Sequence, residues 1–218
     1  MFCGIGGVSL FGEGNPLDGA RLSRYDGAKG GTGVETIQVW TKQHRAVLEE
    51  LERTGRYTAK KAYVELENGD CAPIILEAYN WLVGHAPGGE GRPADAEYPV
   101  WVSFSRDLAM LPQEDHVLLE LTVDRALVTP IHVAKWGTIL NYSYLPRDEA
   151  DAQRHRALLQ LYRVSDTQAY LSQFYPEIKR EIVASWDRLF DDTVQINSDL
   201  RYGILWEVQR TWVTQVIQ

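Results

Sequence analysis

The sequence predicts an α+β domain whose mixed or antiparallel sheet carries flanking helices and a helical insertion. Three observations favour this fold class. Runs that alternate apolar and polar residues, the pattern of a half-buried strand, occur near residue 36, near residue 116 and at the C-terminus. Stretches with apolar residues at helical spacing lie between these runs. Helical signals also dominate residues 147–192, which we interpret as an insertion.

Length and glycine distribution predict one domain behind an N-terminal leader. The chain has 218 residues, a length typical of one compact domain. Ten of its 18 glycines fall within the first 34 residues, where apolar periodicity is absent. We therefore predict a glycine-rich flexible leader over residues 1–34 and a single α+β domain over residues 35–218.

The predicted domain begins with a strand followed by two helices. Thr36–Thr41 alternates β-prone residues and predicts a strand. Gln43–Thr54 carries apolar residues at helical spacing up to a glycine, which predicts a helix. After a turn at residues 68–70, Pro73–Val83 repeats the helical pattern. Residues 86–96 are rich in glycine and proline and predict an exposed loop.

Further strands are predicted in the middle and at the end of the chain. Tyr98–Phe104 and His116–Val123 alternate as strands do and are expected to share one sheet. Gly203–Gln209 and Thr211–Ile217 predict two short strands or one bent strand.

Three helices are predicted between these strands. Arg147–Arg163 is helical in its pattern, and Ser165 and Gln168 have the spacing of a capping box that opens the next helix. Pro176 occupies a first helical position, and apolar residues at helical spacing follow it as far as Phe190.

Composition and charge narrow the classes of function and location. The chain has 22 basic and 30 acidic residues and a formal net charge of −8, which disfavours nucleic acid as a partner. No run of about 18 apolar residues is present, so we expect no membrane span. Two cysteines, Cys3 and Cys71, are too few for a disulfide framework. We therefore expect a soluble cytoplasmic protein.

Catalytic and metal-binding motifs of high specificity are absent from the sequence. The five histidines lack the spacing of metal ligands, so we predict no metal. The opening residues Met1–Gly7 resemble the N-terminus of class II glutamine amidotransferases, which use an N-terminal cysteine as the nucleophile. Because Phe2 separates Cys3 from the initiator, we interpret Cys3 as an ordinary residue of the leader.

The seven tryptophans and eleven tyrosines recur beside amides and carboxylates near the ends of the predicted elements. Five such segments are Trp40-Thr41-x-Gln43, Ala78-Tyr79-x-Trp81, Tyr98-Pro99-x-Trp101, Trp136 with Asn141, Tyr144, Leu145 and Pro146, and Ser185-Trp186 with Phe190 and Asp191. In order and number these segments are similar to the bacterial family known as domain of unknown function 3841, over about residues 37–208. The resemblance implies membership of a family whose name assigns no activity.

These aromatic and polar side chains suit a ligand that contains a planar heterocycle. Indole and phenol rings stack on such a ligand, while amides and carboxylates bond to its edge. The candidate ligand-binding residues are Trp40, Thr41, Gln43, Tyr98, Trp101, Trp136, Asn141 and Tyr144. A lone carboxylate at the same site would stabilise positive charge at a sugar carbon, and Glu207 is the candidate for this catalytic role.

The order of strand, helix and Gly-x-aromatic between Gln38 and Tyr57, with Glu207 on a late strand, is similar to the ADP-ribosyltransferase group. This likeness implies NAD as a substrate and reaction at its N-glycosidic bond. Two alternatives stay open. The aromatic residues could form a non-catalytic module that recognises a small molecule or a partner protein. They could also fill the core, which is the commonest role of such rings.

Overall fold

The computed structural model describes residues 34–109, 114–196 and 198–218. The expected leader, including Cys3, lies outside the described residues except for Val34. The helices are α1 (Arg45–Thr54), α2 (Lys61–Asn68), α3 (Ala72–His85), α4 (Val133–Leu140), α5 (Glu149–Tyr162), α6 (Asp166–Leu171) and α7 (Pro176–Ser185). The strands are β1 (Thr36–His44), β2 (Arg56–Tyr57), β3 (Val100–Ser103), β4 (His116–Asp124), β5 (Thr129–His132), β6 (Arg201–Leu205), β7 (Val208–Gln209) and β8 (Val213–Ile217).

Six of these strands form one antiparallel sheet in the order β5-β6-β3-β1-β4-β8. The two remaining strands, β2 and β7, pair in a small second sheet. Helices α5 to α7 follow one another between α4 and β6 and form the predicted insertion. The predicted α+β class is thus confirmed, and its main sheet is antiparallel.

The strand β1 extends further than its sequence pattern predicts. Ile37, Val39 and Thr41 are buried, as the alternation requires. The pairing with β4 continues without a break to His44, which lies opposite His116. The prediction of a helix from Gln43 was therefore wrong at its start. Because the ladder of hydrogen bonds satisfies the backbone at residues 43 and 44, α1 begins only after His44, whose Nδ1 accepts the Ala46 amide.

The sequence analysis did not predict α2, α4 or the strand β5. Pro130 lies within β5, and a proline has no N–H to donate to a ladder. The structure places β5 at the edge of the main sheet, where β6 is its one partner among the strands of the described residues. An edge strand tolerates the proline. In the sequence a proline argues against a strand, so the pattern alone does not predict β5.

The helix-start signals of the insertion are confirmed. The Ser165 hydroxyl accepts the Gln168 amide, and the Gln168 side chain accepts the Ser165 amide, so both halves of the capping box are present. Pro176 is the first residue of α7.

The last part of the chain passes from one sheet to the other. Leu205 at the end of β6 pairs with Val100, while Val208 pairs with Tyr57 of the small sheet. The segment before β3 turns in a similar way, since Tyr98 forms a bridge to Ala59. Three segments therefore meet at one corner, and we call residues 56–60, 95–100 and 205–209 the sheet junction.

Candidate functional site

Four rings from α3, α4 and the region of β3 pack together beside the sheet junction. Tyr79 lies at the centre, with centroid separations of 5.7 Å to Tyr98, 6.2 Å to Trp101 and 5.6 Å to Trp136. The centroids of Trp101 and Trp136 are 5.5 Å apart. We call Tyr79, Tyr98, Trp101 and Trp136 the aromatic cluster. All belong to or pack against the core, and Trp101 is the member that remains half-buried.

Two indole donors of the aromatic cluster have no acceptor among the residues that the structure describes. The Nε1 atoms of Trp101 and Trp136 are both buried. By contrast, the Tyr98 hydroxyl donates to Asn80 Oδ1 over 2.8 Å. A buried polar group without a partner costs about 1–3 kcal/mol. A ligand that offers an acceptor to these N–H groups would recover that cost.

Thr41 and Gln43 join the cluster through the main chain of Trp101. The Thr41 hydroxyl donates to the Trp101 carbonyl over 2.7 Å and accepts the Gln43 side-chain amide over 2.7 Å. Thr41 is a buried residue of β1, the strand that pairs with β3. Both side chains are therefore engaged in fixing the strand that carries Trp101.

Glu207 lies in the sheet junction, between β6 and β7. Its Oε2 accepts from Arg56 Nε over 2.6 Å, and its Oε1 accepts from the side-chain amide of Gln209 over 2.8 Å. The side chain is 22% exposed. Both carboxylate oxygens are thus oriented by donors while an edge of the group stays open to solvent.

Arg56 also contacts Asp95, which lies on the loop before β3. Arg56 Nη2 donates to Asp95 Oδ1 over 2.5 Å. The hydrogen bond from Arg56 is the main cause that lowers the pKa of Asp95. The bonds to Asp95 and then to Glu207 raise the pKa of Arg56. One guanidinium therefore connects the Glu207 carboxylate to the loop at residues 86–96.

Together these contacts link six of the nine candidate residues into one region. Gln43, Thr41, Trp101, Trp136 and Tyr98 belong to or support the aromatic cluster, as described above. Glu207 is connected to Tyr98 through the segment 56–60, because Arg56 binds Glu207 and Ala59 bridges to Tyr98.

Trp40 and Asn141 make their described contacts elsewhere. Trp40 Nε1 donates to Glu120 Oε2 over 3.3 Å, across the β1–β4 pair. Asn141 is exposed at the C-terminus of α4, where its side-chain amide donates to the Gly137 carbonyl over 2.8 Å. Asn141 thus serves to cap a helix.

Tyr144 belongs to a separate network of charged groups. Its hydroxyl donates to Asp151 Oδ1 over 2.9 Å and accepts from Arg154 over 2.9 Å. Arg188 also donates to Asp151, over 3.0 Å. Burial opposes ionisation of Asp151, but its hydrogen bonds from the Arg147 amide, Tyr144 and Arg154 outweigh burial and lower its pKa. This network holds the segment before α5 against the insertion.

His155 also belongs to this network, and the sequence analysis assigned it no role. It is 3% exposed, with Nδ1 at 2.9 Å from Glu181 Oε1 and Nε2 at 2.6 Å from Asp166 Oδ1. Burial lowers the pKa of His155, but its hydrogen bonds to the Asp166 and Glu181 carboxylates outweigh burial and raise the pKa. The ring of Tyr144 stacks on it at 3.9 Å. His155 thereby fastens α5 to α6 and α7, and no local spacing in the sequence signals that role.

The fold and these contacts define an α+β protein with an aromatic cluster next to an ion-paired sheet junction. The chain belongs to the family described as Domain of unknown function (DUF3841), whose model matches residues 38–214. The chain matches no curated protein and no solved structure. Among the described residues, no helix has the length and apolar character of a membrane span, and no group of three or more His, Cys, Asp and Glu could hold a metal.

Proposed function

We propose that the protein binds a nucleotide or a related small molecule, with the planar base of the ligand against the aromatic cluster. The observation that carries this proposal is that the indole donors of Trp101 and Trp136 have no acceptor among the described residues. The half-buried Trp101 offers a ring surface beside them. Aromatic walls with a few convergent polar groups are the usual lining of small-molecule sites.

NAD is the first ligand to test. Its nicotinamide and adenine rings are planar and carry acceptor atoms on their edges. Either ring could accept from a tryptophan N–H while its face packs on a neighbouring ring. The chain has a formal net charge of −8, which repels an anionic ligand as a whole. Local cations must therefore attract the ligand, and Arg56 at the sheet junction is one of them.

A second candidate function is cleavage or transfer at the N-glycosidic bond of such a nucleotide. The position of Glu207 in the sheet junction, ion-paired with Arg56 and still partly exposed, favours it. In this reaction the bond from the sugar carbon to nitrogen breaks, and its electron pair leaves with nicotinamide. Water or another acceptor attacks the sugar carbon and loses a proton. The Glu207 carboxylate would stabilise the positive charge that develops on the sugar.

A calorimetric titration with NAD, ADP-ribose and adenosine tests the binding proposal. The variant Trp101→Phe keeps an aromatic ring and removes the N–H, so we expect it to weaken binding at least about fivefold, which corresponds to one lost hydrogen bond. The control Trp40→Phe removes an indole donor that already has Glu120 as its acceptor. Equal affinity in Trp101→Phe and wild type, or no binding by wild type, would contradict the proposal.

Product analysis separates turnover from simple binding. We expect Glu207→Gln to bind NAD and to lose ADP-ribose and nicotinamide formation. The control Glu52→Gln removes another carboxylate that accepts from an arginine Nε, Arg210 at 2.7 Å. If wild type binds NAD and leaves it intact in the presence of cell extract, the protein is a binding module and the second candidate fails.

A further inference from the structure

Three donors of the sheet junction converge on one carboxylate. Arg56, Thr58 and Lys60 are alternate residues, which share a side in extended chain. Their contacts to Asp95 are 2.5 Å from Arg56 Nη2, 3.4 Å from Thr58 Oγ1 and 3.6 Å from Lys60 Nζ. Lys60 Nζ also donates to the main-chain carbonyl of Asp95. A guanidinium, a hydroxyl and an ammonium thus surround a single anionic group.

Two of the three donors have a support other than Asp95. Thr58 is only 3% exposed, so the position of its hydroxyl is set by packing. Arg56 is anchored from its Nε by Glu207, which leaves Nη2 directed at Asp95. A planar guanidinium fork with an adjacent ammonium is the combination that proteins use for phosphate groups.

Asp95 fits the cradle incompletely. Its Oδ2 is 3.4 Å from Thr58 Oγ1 and 3.6 Å from Lys60 Nζ, which is beyond the usual hydrogen-bond range. Asp95 itself is 55% exposed on the glycine-rich loop at residues 86–96. An exposed ion pair on such a loop contributes little stability, so it is easily exchanged. A phosphate has a third oxygen and a higher charge, and it can contact all three donors at once.

We infer that Arg56, Thr58 and Lys60 form a binding site for a phosphate or diphosphate group, and that Asp95 occupies this site as an internal competitor when no ligand is bound. The inference rests on the proposed function in one respect, because it assigns the phosphate of the proposed nucleotide to the sheet junction. Arg92 of the same loop lies over the Trp206 ring at 5.4 Å and adds a third cation to this corner.

Removal of the competitor gives a direct test. While Asp95 occupies the site, a phosphate cannot bind there. The observed affinity for phosphate is therefore the affinity of the empty site multiplied by the fraction of molecules in which the site is empty. Titration calorimetry with inorganic pyrophosphate should therefore show at least about tenfold tighter binding by Asp95→Asn than by wild type. The added variant Lys60→Gln, on the Asp95→Asn background, should abolish that gain. The control Asp107→Asn neutralises an exposed aspartate in the short 3-10 helix Arg106–Leu108 and should leave the affinity unchanged.

Two results would overturn the inference: an Asp95→Asn variant that binds pyrophosphate no more tightly than wild type, or a gain that persists when Lys60 is replaced. Asp95→Ser serves as a second neutralising variant, with circular dichroism as the check on folding. Pyrophosphate has no ring, so its binding does not depend on the aromatic cluster. Adenosine has no phosphate, so its binding depends on the aromatic cluster and not on the phosphate site. If the proposed base site is wrong, adenosine does not bind, whatever the result with pyrophosphate.

Discussion

Arg56 and Glu207 are 151 positions apart in the chain, yet Arg56 Nε donates to Glu207 Oε2 over 2.6 Å. The contact forms because β2 and β7 pair at the sheet junction, next to both residues. It connects the candidate catalytic carboxylate to the loop that carries Asp95. The same guanidinium therefore takes part in both proposals made for this corner of the molecule.

The energy of the Arg56–Glu207 pair can be measured by a double-mutant cycle. Arg56 is 39% exposed and Glu207 is 22% exposed, so water screens the pair and we expect a coupling of about 0.5–1 kcal/mol. Urea unfolding of Arg56→Gln, Glu207→Gln and the double variant gives this value. The more exposed pair Arg210–Glu52 is the control and should couple more weakly. A coupling no larger than that of the control would contradict the assigned role of Arg56.

Gly203 in β6 has no room for a side chain. A Cβ at this position would lie 2.5 Å from Val128 Cγ1 and 2.8 Å from Val102 Cγ2. We expect Gly203→Ala to lower the free energy of unfolding by about 1–3 kcal/mol through overpacking. At Gly137 in α4 no atom of the described residues lies within 4 Å of the same position, so Gly137→Ala should instead stabilise by about 0.5–1 kcal/mol. Two changes of equal sign in chemical denaturation would contradict the packing described for β6.

His155 makes the stability of the insertion depend on pH. Its pKa is raised in the folded state, so its contribution is complete below the unfolded value of about 6.5 and is lost as pH rises through the folded pKa. We expect the urea midpoint of wild type to fall as pH rises from about 6.5 through the folded pKa. His155→Gln should lose this slope, while His44→Asn, at an exposed helix cap, should keep it. An unchanged slope in His155→Gln would show that another group titrates.

Asp151 carries the charge that holds Arg154 and Arg188. Its side chain is 7% exposed, and removal of its charge takes the carboxylate partner from Arg188 and leaves Arg154 with Glu181. We expect Asp151→Asn to cost about 3 kcal/mol. The neighbouring Asp148 accepts the Asp151 amide as a helix cap and forms an exposed ion pair with Arg147, so Asp148→Asn should cost about 1 kcal/mol or less. Equal losses in thermal or urea unfolding would contradict the central position of Asp151.

Asp151 also adds an acid-side dependence of the opposite sign. Because the pKa of its folded form is lowered, its contribution is present above the unfolded value of about 3.9 and is lost as pH falls below it. Acid titration of wild type followed by circular dichroism should show this loss. The Asp151→Asn variant should show a smaller acid-dependent change.

The parts of the fold that depend on neighbours in the chain could be predicted from the sequence. The alternation of Ile37 and Val39 predicts β1 because one face of a strand is buried. The capping box at Ser165 and Gln168 predicts the start of α6 because its bonds span three residues. The sequence does not predict β5, because a strand tolerates a proline such as Pro130 only at certain places in a sheet, and the place of β5 is not encoded locally.

The candidate site was harder to predict, since its contacts join distant segments. Trp101 and Trp40 have similar surroundings in the sequence, yet one packs on Tyr79 and Trp136 while the other donates to Glu120. The partner of each ring is set by strand order, which no local pattern encodes. For the same reason Arg56 was not among the candidates, although it contacts Glu207.

The indole N–H resonances of the protein in nuclear magnetic resonance test the central proposal most directly. Trp186 Nε1 already donates to the Ser143 carbonyl over 2.9 Å and supplies an internal reference. On titration with NAD or adenosine, we expect the Nε1–H signals of Trp101 and Trp136 to move downfield as each gains an acceptor, while that of Trp186 stays in place. Saturating nucleotide that leaves the Trp101 and Trp136 signals unmoved would contradict the account.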